Sequence, residues 1–274
     1  MSIFTRKSKR KIVLATATLI VAICAMGVYR FMKSPAYLKE SVPAAVNIQT
    51  IAKVPEKAKA PEIPEPTIST PVLRNVPKAS IKPLPKELNL AMTFYSQAPF
   101  VDWSEPWQNA CEEASILLVA NTYYKHGWTK ENFRDQILEL VDWENETFGF
   151  YKSTTTQQMT KILEDFLQLK TVIHQNPTFS DVQTILDKGH LIIIPLAGRE
   201  LKNPFFTNGG PDYHVLVIKG YKEGEKVITS DVGTQHGENY VYTWKTISSA
   251  NHDYATPINN GDKLMIEVLP PSEK

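Results

Sequence analysis

Ten prolines between positions 35 and 85 decide which part of this chain can build a domain. Proline removes a backbone donor and fixes φ, so a stretch at this density supports neither a helix interior nor a sheet ladder. The segment "KVPEKAKAPEIPEPTISTP" sets its prolines among Lys, Glu and Thr. Such a composition is too polar to offset the entropy of ordering through burial. Residues 30–87 therefore read as a Pro-rich disordered linker. In polyproline conformation, a chain of about fifty residues reaches on the order of 150 Å. The linker is a spacer between the N-terminal segment and the C-terminal remainder of the chain.

The N-terminal segment is apolar. Residues 1–11, "MSIFTRKSKRK", carry five basic side chains and no acid, and they run into the uncharged stretch Ile12 to Tyr29. Eighteen residues in a helix cover roughly 27 Å, enough for a hydrocarbon core. Basic residues before the run predict a cytoplasmic tail at 1–11, a single-pass transmembrane signal anchor at 12–29, and export of the remainder. A cleaved signal peptide, giving a secreted protein, is the rival reading. Its small-x-small triplet Ala25-Met26-Gly27 lies inside the apolar run rather than after it. Ile23 is bulky for the position before a lipidated cysteine, which leaves Cys24 as a small lipid-facing hydrophobe.

Residues 88–274 remain for a folded domain. "LAMTFYSQ" reads as a short strand, followed by a loop with Pro99, Asp102, Trp103, Pro106 and Trp107. In "CEEASILLVANTYYKHG", Ala114, Leu117, Leu118, Asn121 and Tyr124 fall at helical spacing, with Gly127 as the stop. "KENFRDQILELV", "TTQQMTKILEDFLQL" and "FSDVQTILDKG" continue as amphipathic helices, the last with Ser180 as its cap. The period then changes. "HLIIIPLAG" has strand length, "YHVLVIKGYKEGEKVITSDVG" reads as a hairpin, and "ENYVYTWKTISSA" and "KLMIEVLP" supply further β segments. Helices first and antiparallel strands after give an α+β domain over 88–274.

The totals exclude several functions. A net charge of +1 gives no reason to expect a nucleic-acid partner. Two cysteines cannot form a disulfide scaffold, and no Cys/His spacing resembles a zinc site, so no metal or cofactor is expected. Nothing in the pattern assigns an oligomeric state.

Cys111 stands where polar loop residues give way to the first helix. A thiolate is the attacking form of cysteine, and a helix N-terminus or a neighbouring imidazolium favours it. His214 opens the strand "HVLVIKGY", and Asp231 closes the next one, "KVITSD". If those strands pair through the "KEGEK" turn, the start of one lies beside the end of the other, and Asp231 falls next to His214. Taken singly, each has an ordinary reading: Cys111 as a buried hydrophobe, His214 as a satisfied strand histidine, Asp231 as a turn residue before glycine. Glu112 and Glu113 read as solvated residues of the helix start. Trp103 and Trp107 either line a substrate groove or cover the core. His236 belongs to a loop, and His126, His174, His190 and His252 have no chemical context.

The segments "FYSQAPF", "ACEEASILLVANTYY", "DYHVLVIKGY" and "VITSDVGTQHGENYVY" resemble the C-thirty-nine-like branch of the papain-like cysteine peptidases, over roughly residues 90 to 245. The resemblance implies a papain-like fold, a peptide or protein substrate, and the catalytic set Cys111, His214, Asp231 and Gln97. Cys111 would be the nucleophile, His214 the general base and then acid, and Asp231 the residue that orients the imidazole. Gln97 would donate to the oxyanion beside the Cys111 N–H, with Gln108 in reserve because Gln97 stands fourteen positions before the cysteine. Trp107 and Gln108 are the candidate substrate-binding residues. Two departures stand out: Glu112 and Glu113 follow the cysteine where many relatives have a small residue, and Val232 follows Asp231 in place of proline. Inward-pointing carboxylates would oppose thiolate formation, which keeps open a binding domain without turnover. A transglutaminase-type acyltransferase shares the Cys–His–Asp order but places its histidine much nearer the cysteine.

Overall fold

The run Leu191–Ala197 and the strand that begins at Tyr213 have no polar face, so they need cover on both sides. The computed structural model, which describes residues 40–52 and 86–271, provides it. In chain order the elements are α1 (Ile48–Ala52), β1 (Leu88–Asn89), α2 (Cys111–Tyr124), α3 (Lys130–Phe148) and α4 (Thr156–Lys161). Next come β2 (Thr171–Gln175), α5 (Phe179–Leu186), β3 (Leu191–Ala197), β4 (Tyr213–Lys222) and β5 (Lys226–Ser230). The last three are β6 (Glu238–Thr243), α6 (Trp244–Ala250) and β7 (Leu264–Val268). The strands form one antiparallel sheet in the order β2-β7-β3-β4-β5-β6, with β1 pairing β4 at its far end. The α+β expectation holds.

β3 and β4 sit in the middle, and both are buried along their length except for Lys222 at the β4 end. α2 packs on them. Of its residues only Thr122 and Tyr124 escape full burial, so this is a helix without a solvent face. The Ser115 hydroxyl donates to the Val215 carbonyl at 3.2 Å, and the Tyr123 hydroxyl to that of Val268 at 2.6 Å. These two bonds fix the helix across the sheet. Its first turn is thereby set against the start of β4.

Several local expectations are corrected. α2 ends on Lys125, which takes the left-handed conformation at φ 55°, two residues before Gly127. The cap of α5 is Thr178, in a reciprocal box with Asp181, so Ser180 lies inside the helix. "WKTISSA" is helical, because the Thr243 hydroxyl accepts from the Thr246 N–H and caps α6. "LAMTFYSQ", residues 90–97, yields only an isolated bridge at Leu90, and the short β1 ends just before it. The strand β2 escaped the pattern because it is an edge strand whose Val172 and Ile173 face outward.

The linker also needs correcting. Residues 41–52, expected to be disordered, are docked on the domain. The Val46 N–H donates to Asn89 O and the Ala91 N–H to Val46 O, each at 2.8 Å. Asn89 Nδ2 donates to Pro43 O at 3.0 Å, and Lys222 Nζ to Ser41 O. Ile48 is buried, and its Cγ2 lies 3.4 Å from where a Cβ on Gly189 would stand. The reason is local: between Pro43 and Pro55 the sequence "AAVNIQTIAKV" is free of proline and carries Val46, Ile48 and Ile51. The tail at 1–11, the apolar run 12–29 and most of the linker lie outside the described residues. Among the described residues, no helix is long and apolar enough to cross a membrane.

If the docked segment belongs to the fold, Ile48→Ala should lower stability by about 2 kcal/mol, read as a reduced urea midpoint of the full chain. An unchanged midpoint would make residues 41–52 a passive overlay.

Candidate active site

Cys111 is the first residue of α2, reached through a 3-10 turn at Trp107–Asn109. Ala110, the residue before the helix, offers no side-chain cap. The free thiol is buried and lies against the start of β4, where the Val215 N–H faces its sulfur. Its dominant partner is unexpected: Sγ donates to Glu112 Oε2 at 2.9 Å. Burial first, and then the charges of Glu112 and Glu113, push the thiol well above its ordinary range, and the Val215 N–H offsets only part of that. While Glu112 and Glu113 carry charge, the sulfur therefore keeps its proton. The helix start alone does not make a thiolate here, because the two acidic residues oppose it.

His214 and Asp231 meet as the hairpin requires. β4 and β5 pair from Lys222↔Lys226 to Val217↔Ser230, with a register shift between Ile218 and Gly220. Beyond the last pair, His214 Nε2 lies 2.8 Å from Asp231 Oδ1. The same carboxyl accepts from the Gly233 N–H at 3.1 Å, Asn203 Nδ2 at 3.0 Å and the Tyr242 hydroxyl at 2.6 Å. Burial pushes Asp231 up, but the His214 charge and these donors outweigh it and hold the carboxyl below its usual range. Asp231 is thus a buried anion with a full set of donors, and it fixes the His214 ring through Nε2. A Cβ on Gly233 would lie 2.8 Å from His214 Cε1, so the turn can wrap the ring only with glycine there. Phe206 packs edge-on against the imidazole, with ring centroids 5.3 Å apart. Asn203 and Tyr242 had no signal in the sequence; nothing in their spacing from Asp231 predicts a contact across β6.

Gln97 is buried beside this group, its N–H bonded to Val232 O at 3.0 Å. The valine that stands in place of the expected proline thus tethers the glutamine to the Asp231 strand. Gln97 Nε2 donates to Trp107 O at 2.9 Å and Gln108 O at 3.2 Å, and so holds the loop that leads into Cys111. Gln108 contributes that carbonyl while its side chain is exposed. Trp107 is half-buried against the core and also lines a pocket of about 260 Å³ with Pro99, Phe100, Asp102 and Arg134. Trp103 is exposed, and so is His236, whose ring stacks on Phe205 at 4.3 Å. Among the described residues, no group of three His, Cys, Asp or Glu side chains is arranged to hold a metal ion.

The model of the Peptidase_C39 like family matches residues 89–256, more than half of the chain. The chain belongs to that family. Among solved structures, it is similar to a protein described as a C39-like peptidase from Bacillus anthracis, with 15% identity over 66% of this chain and 96% of the other, at a TM-score of 0.43. It is also similar to the peptidase domain of Streptococcus ComA, a bifunctional ABC transporter, with 15% identity over 60% and 93% of the two chains and a TM-score of 0.38. A third is UfSP from C. elegans, with 13% identity over 72% of this chain and 36% of the other, at a TM-score of 0.36. No curated protein matches the chain significantly.

This family member carries a buried acidic group behind its cysteine. Glu112 and Glu113 are not solvated: both are buried, as is Glu144 on α3. No N–H or hydroxyl reaches any carboxyl oxygen of Glu113 or Glu144, and the two carboxyls face each other. Two adjacent carboxyls in a dry site cannot both ionise, so they share a proton. Burial raises both, Glu144 to about 8. A second overlooked constellation lies at the other edge of the sheet. There Glu267 engages His174 Nε2 at 2.7 Å and His190 Nδ1 at 2.6 Å, so both histidines have a context the sequence did not reveal.

The shared proton has a measurable consequence. Between a pH of about 4.5 and about 8, the folded state keeps a proton that the unfolded chain has released. Stability should therefore fall as pH rises, at ~1.4 kcal/mol per pH unit for one such group. Glu144→Gln should flatten that slope and make the protein more stable than wild type near pH 8, as denaturant midpoints across the range would show. On the other carboxylate, Tyr242→Phe should cost about 2 kcal/mol, because Asp231 stays charged and buried with one donor fewer.

Proposed function

We propose that this chain is a cysteine peptidase, anchored by residues 12–29 in a cell membrane and working on its extracytoplasmic side. The observation that supports the chemistry most is the 2.8 Å bond between His214 Nε2 and the fully coordinated Asp231. It sits at the sheet end to which α2 brings Cys111. Asp231 takes Nε2, so Nδ1 is the ring nitrogen that exchanges a proton with the reacting groups. In the first half-reaction His214 receives the thiol proton, the sulfur attacks a peptide carbonyl, and the carbon–nitrogen bond breaks as the imidazolium protonates the departing amine. A thioester remains. In the second half, water gives a proton to His214, attacks the thioester and releases the acid, which returns the thiol.

The oxyanion formed in each half is stabilised by the Cys111 N–H and Gln97 Nε2. The 3.2 Å bond from Gln97 to Gln108 O is the weaker of its two and the one a developing negative charge replaces. Each such donor typically contributes about 3 kcal/mol to lowering the barrier. Trp107 and its pocket border the same loop and take a substrate side chain. The location rests on the basic tail before the apolar run, which favours export of the chain beyond it. Residues 53–85 act as the spacer.

A binding domain without turnover is the second reading, favoured by the carboxylate bonded to the thiol. Iodoacetamide labelling of the full chain separates the two. A peptidase should show Cys111 labelling well above that of a free thiol in at least part of the range from pH 5 to 9, slowed ~100-fold by His214→Ala. It should also cleave members of a peptide library, with Cys111→Ala abolishing cleavage. Labelling no faster than a free thiol, with no cleavage, selects the binding domain.

A further inference from the structure

Glu112 has no part in the peptidase cycle of Cys111 and His214, yet it touches the reacting atom. Its Oε2 stands 2.9 Å from Cys111 Sγ, and its Oε1 is pinned by the Thr154 N–H at 3.0 Å. The side chain is buried and held at both oxygens, so it cannot swing away. Moving the thiol proton to His214 while Glu112 is ionised would leave two anions in direct contact inside the protein. That state is strongly disfavoured.

We propose that Glu112 is a catalytic residue acting as a neutral carboxylic acid, whose O–H donates to the Cys111 thiolate. The proposal rests on the peptidase reading and deepens it. The active site then holds two protons, one on Glu112 Oε2 and one on His214 Nδ1, with the thiolate between two donors. When the sulfur attacks, its electron pair forms the C–S bond and the carbonyl pair moves to oxygen. The imidazolium proton leaves with the amine, and Glu112 keeps its own. When the thioester is hydrolysed, the C–S bond breaks and the departing thiolate again receives the Glu112 hydrogen bond. Every proton is accounted for, and no further reactant beyond water is required.

The surroundings keep Glu112 in this role. Cys111 and Glu113 on α2, Glu144 on α3, Tyr151 and Thr154 on the connection to α4, and Tyr213 and His214 on β4 all act on it or respond to its charge. Burial raises its carboxyl, while its bonds to Cys111 and Thr154 and the His214 charge oppose the rise without cancelling it. A proton on Glu112 is therefore easier to retain than on an exposed glutamate.

The test is the rate of Cys111 labelling by iodoacetamide in the full chain across pH, for wild type, Glu112→Gln and His214→Ala. An ordinary thiol reacts faster as pH rises. Here the wild-type rate should fall about 10-fold or more as pH rises through the range in which Glu112 loses its proton, which burial places above that of an exposed glutamate. In Glu112→Gln the amide N–H donates at every pH and the amide oxygen keeps the Thr154 bond. That variant should lose the decline and label about 10-fold faster than wild type at the alkaline end of the profile. A wild-type rate that climbs steadily with pH, or a Glu112→Gln protein that reacts more slowly than wild type at the alkaline end of the profile, overturns the proposal. The wild-type profile decides alone if the variant does not fold. Labelling that depends on His214 but runs the wrong way with pH removes only the role of Glu112. Labelling at free-thiol rates whatever residue is at 214 removes the peptidase reading as well.

Discussion

The packing of α2 against the centre of the sheet governs everything around it. A helix buried on almost all sides has no freedom to slide or rotate, because each displacement would open cavities against β3 and β4. Ser115 and Tyr123 lock it to Val215 and Val268 with hydrogen bonds. One end of that rod is Cys111. The neighbour it meets is the start of β4, where His214 is the second residue of the strand. Tertiary packing, not local sequence, thus sets the register between Cys111 and the start of β4. The loop from Gln97 to Ala110 is then drawn back over the helix start by the Gln97 amide.

Two kinds of buried carboxylate sit on either side of this junction, and they are handled differently. Asp231 is surrounded by N–H and O–H donors from β4, the adjoining turn, Asn203 and β6. It remains an anion despite complete burial. Glu113 and Glu144 have no such donors and must share a proton. Glu112 lies between these extremes, with one backbone donor and one thiol. The gradient runs across the cysteine, from an ionised partner of the histidine to a protonated pair behind the helix. Charge in a dry interior depends on the supply of donors, and here that supply is set by which strand or helix each carboxyl faces.

Much of the architecture was legible along the chain. The change from helical to strand period marked the α+β order, and the hairpin through "KEGEK" carried His214 to Asp231 even though a bulge shifts its register. Cys111 as the first residue of a helix was expected from polar loop residues meeting an apolar run. Local caps were harder to place: Thr178 and Lys125 took the roles expected of Ser180 and Gly127. The proline density set residues 30–87 apart from the domain in the sequence, but the proline-free window around Ile48 was apolar enough to dock. A polar average over a long segment conceals a short stretch that packs.

Sequence alone determined the helix that begins at the cysteine, the hairpin that joins histidine to aspartate, and the apolar runs that fill the sheet. Each arises from interactions between residues near one another along the chain, where period and turn chemistry suffice. Only the tertiary structure decided that Glu112 turns onto the sulfur, that Glu113 meets Glu144, and that Tyr242 and Asn203 complete the shell around Asp231. The contacts of Glu113, Asn203 and Tyr242 join separate elements, and Glu112, although next to Cys111 in the chain, takes a direction fixed by what packs around the helix rather than by its place in the first turn.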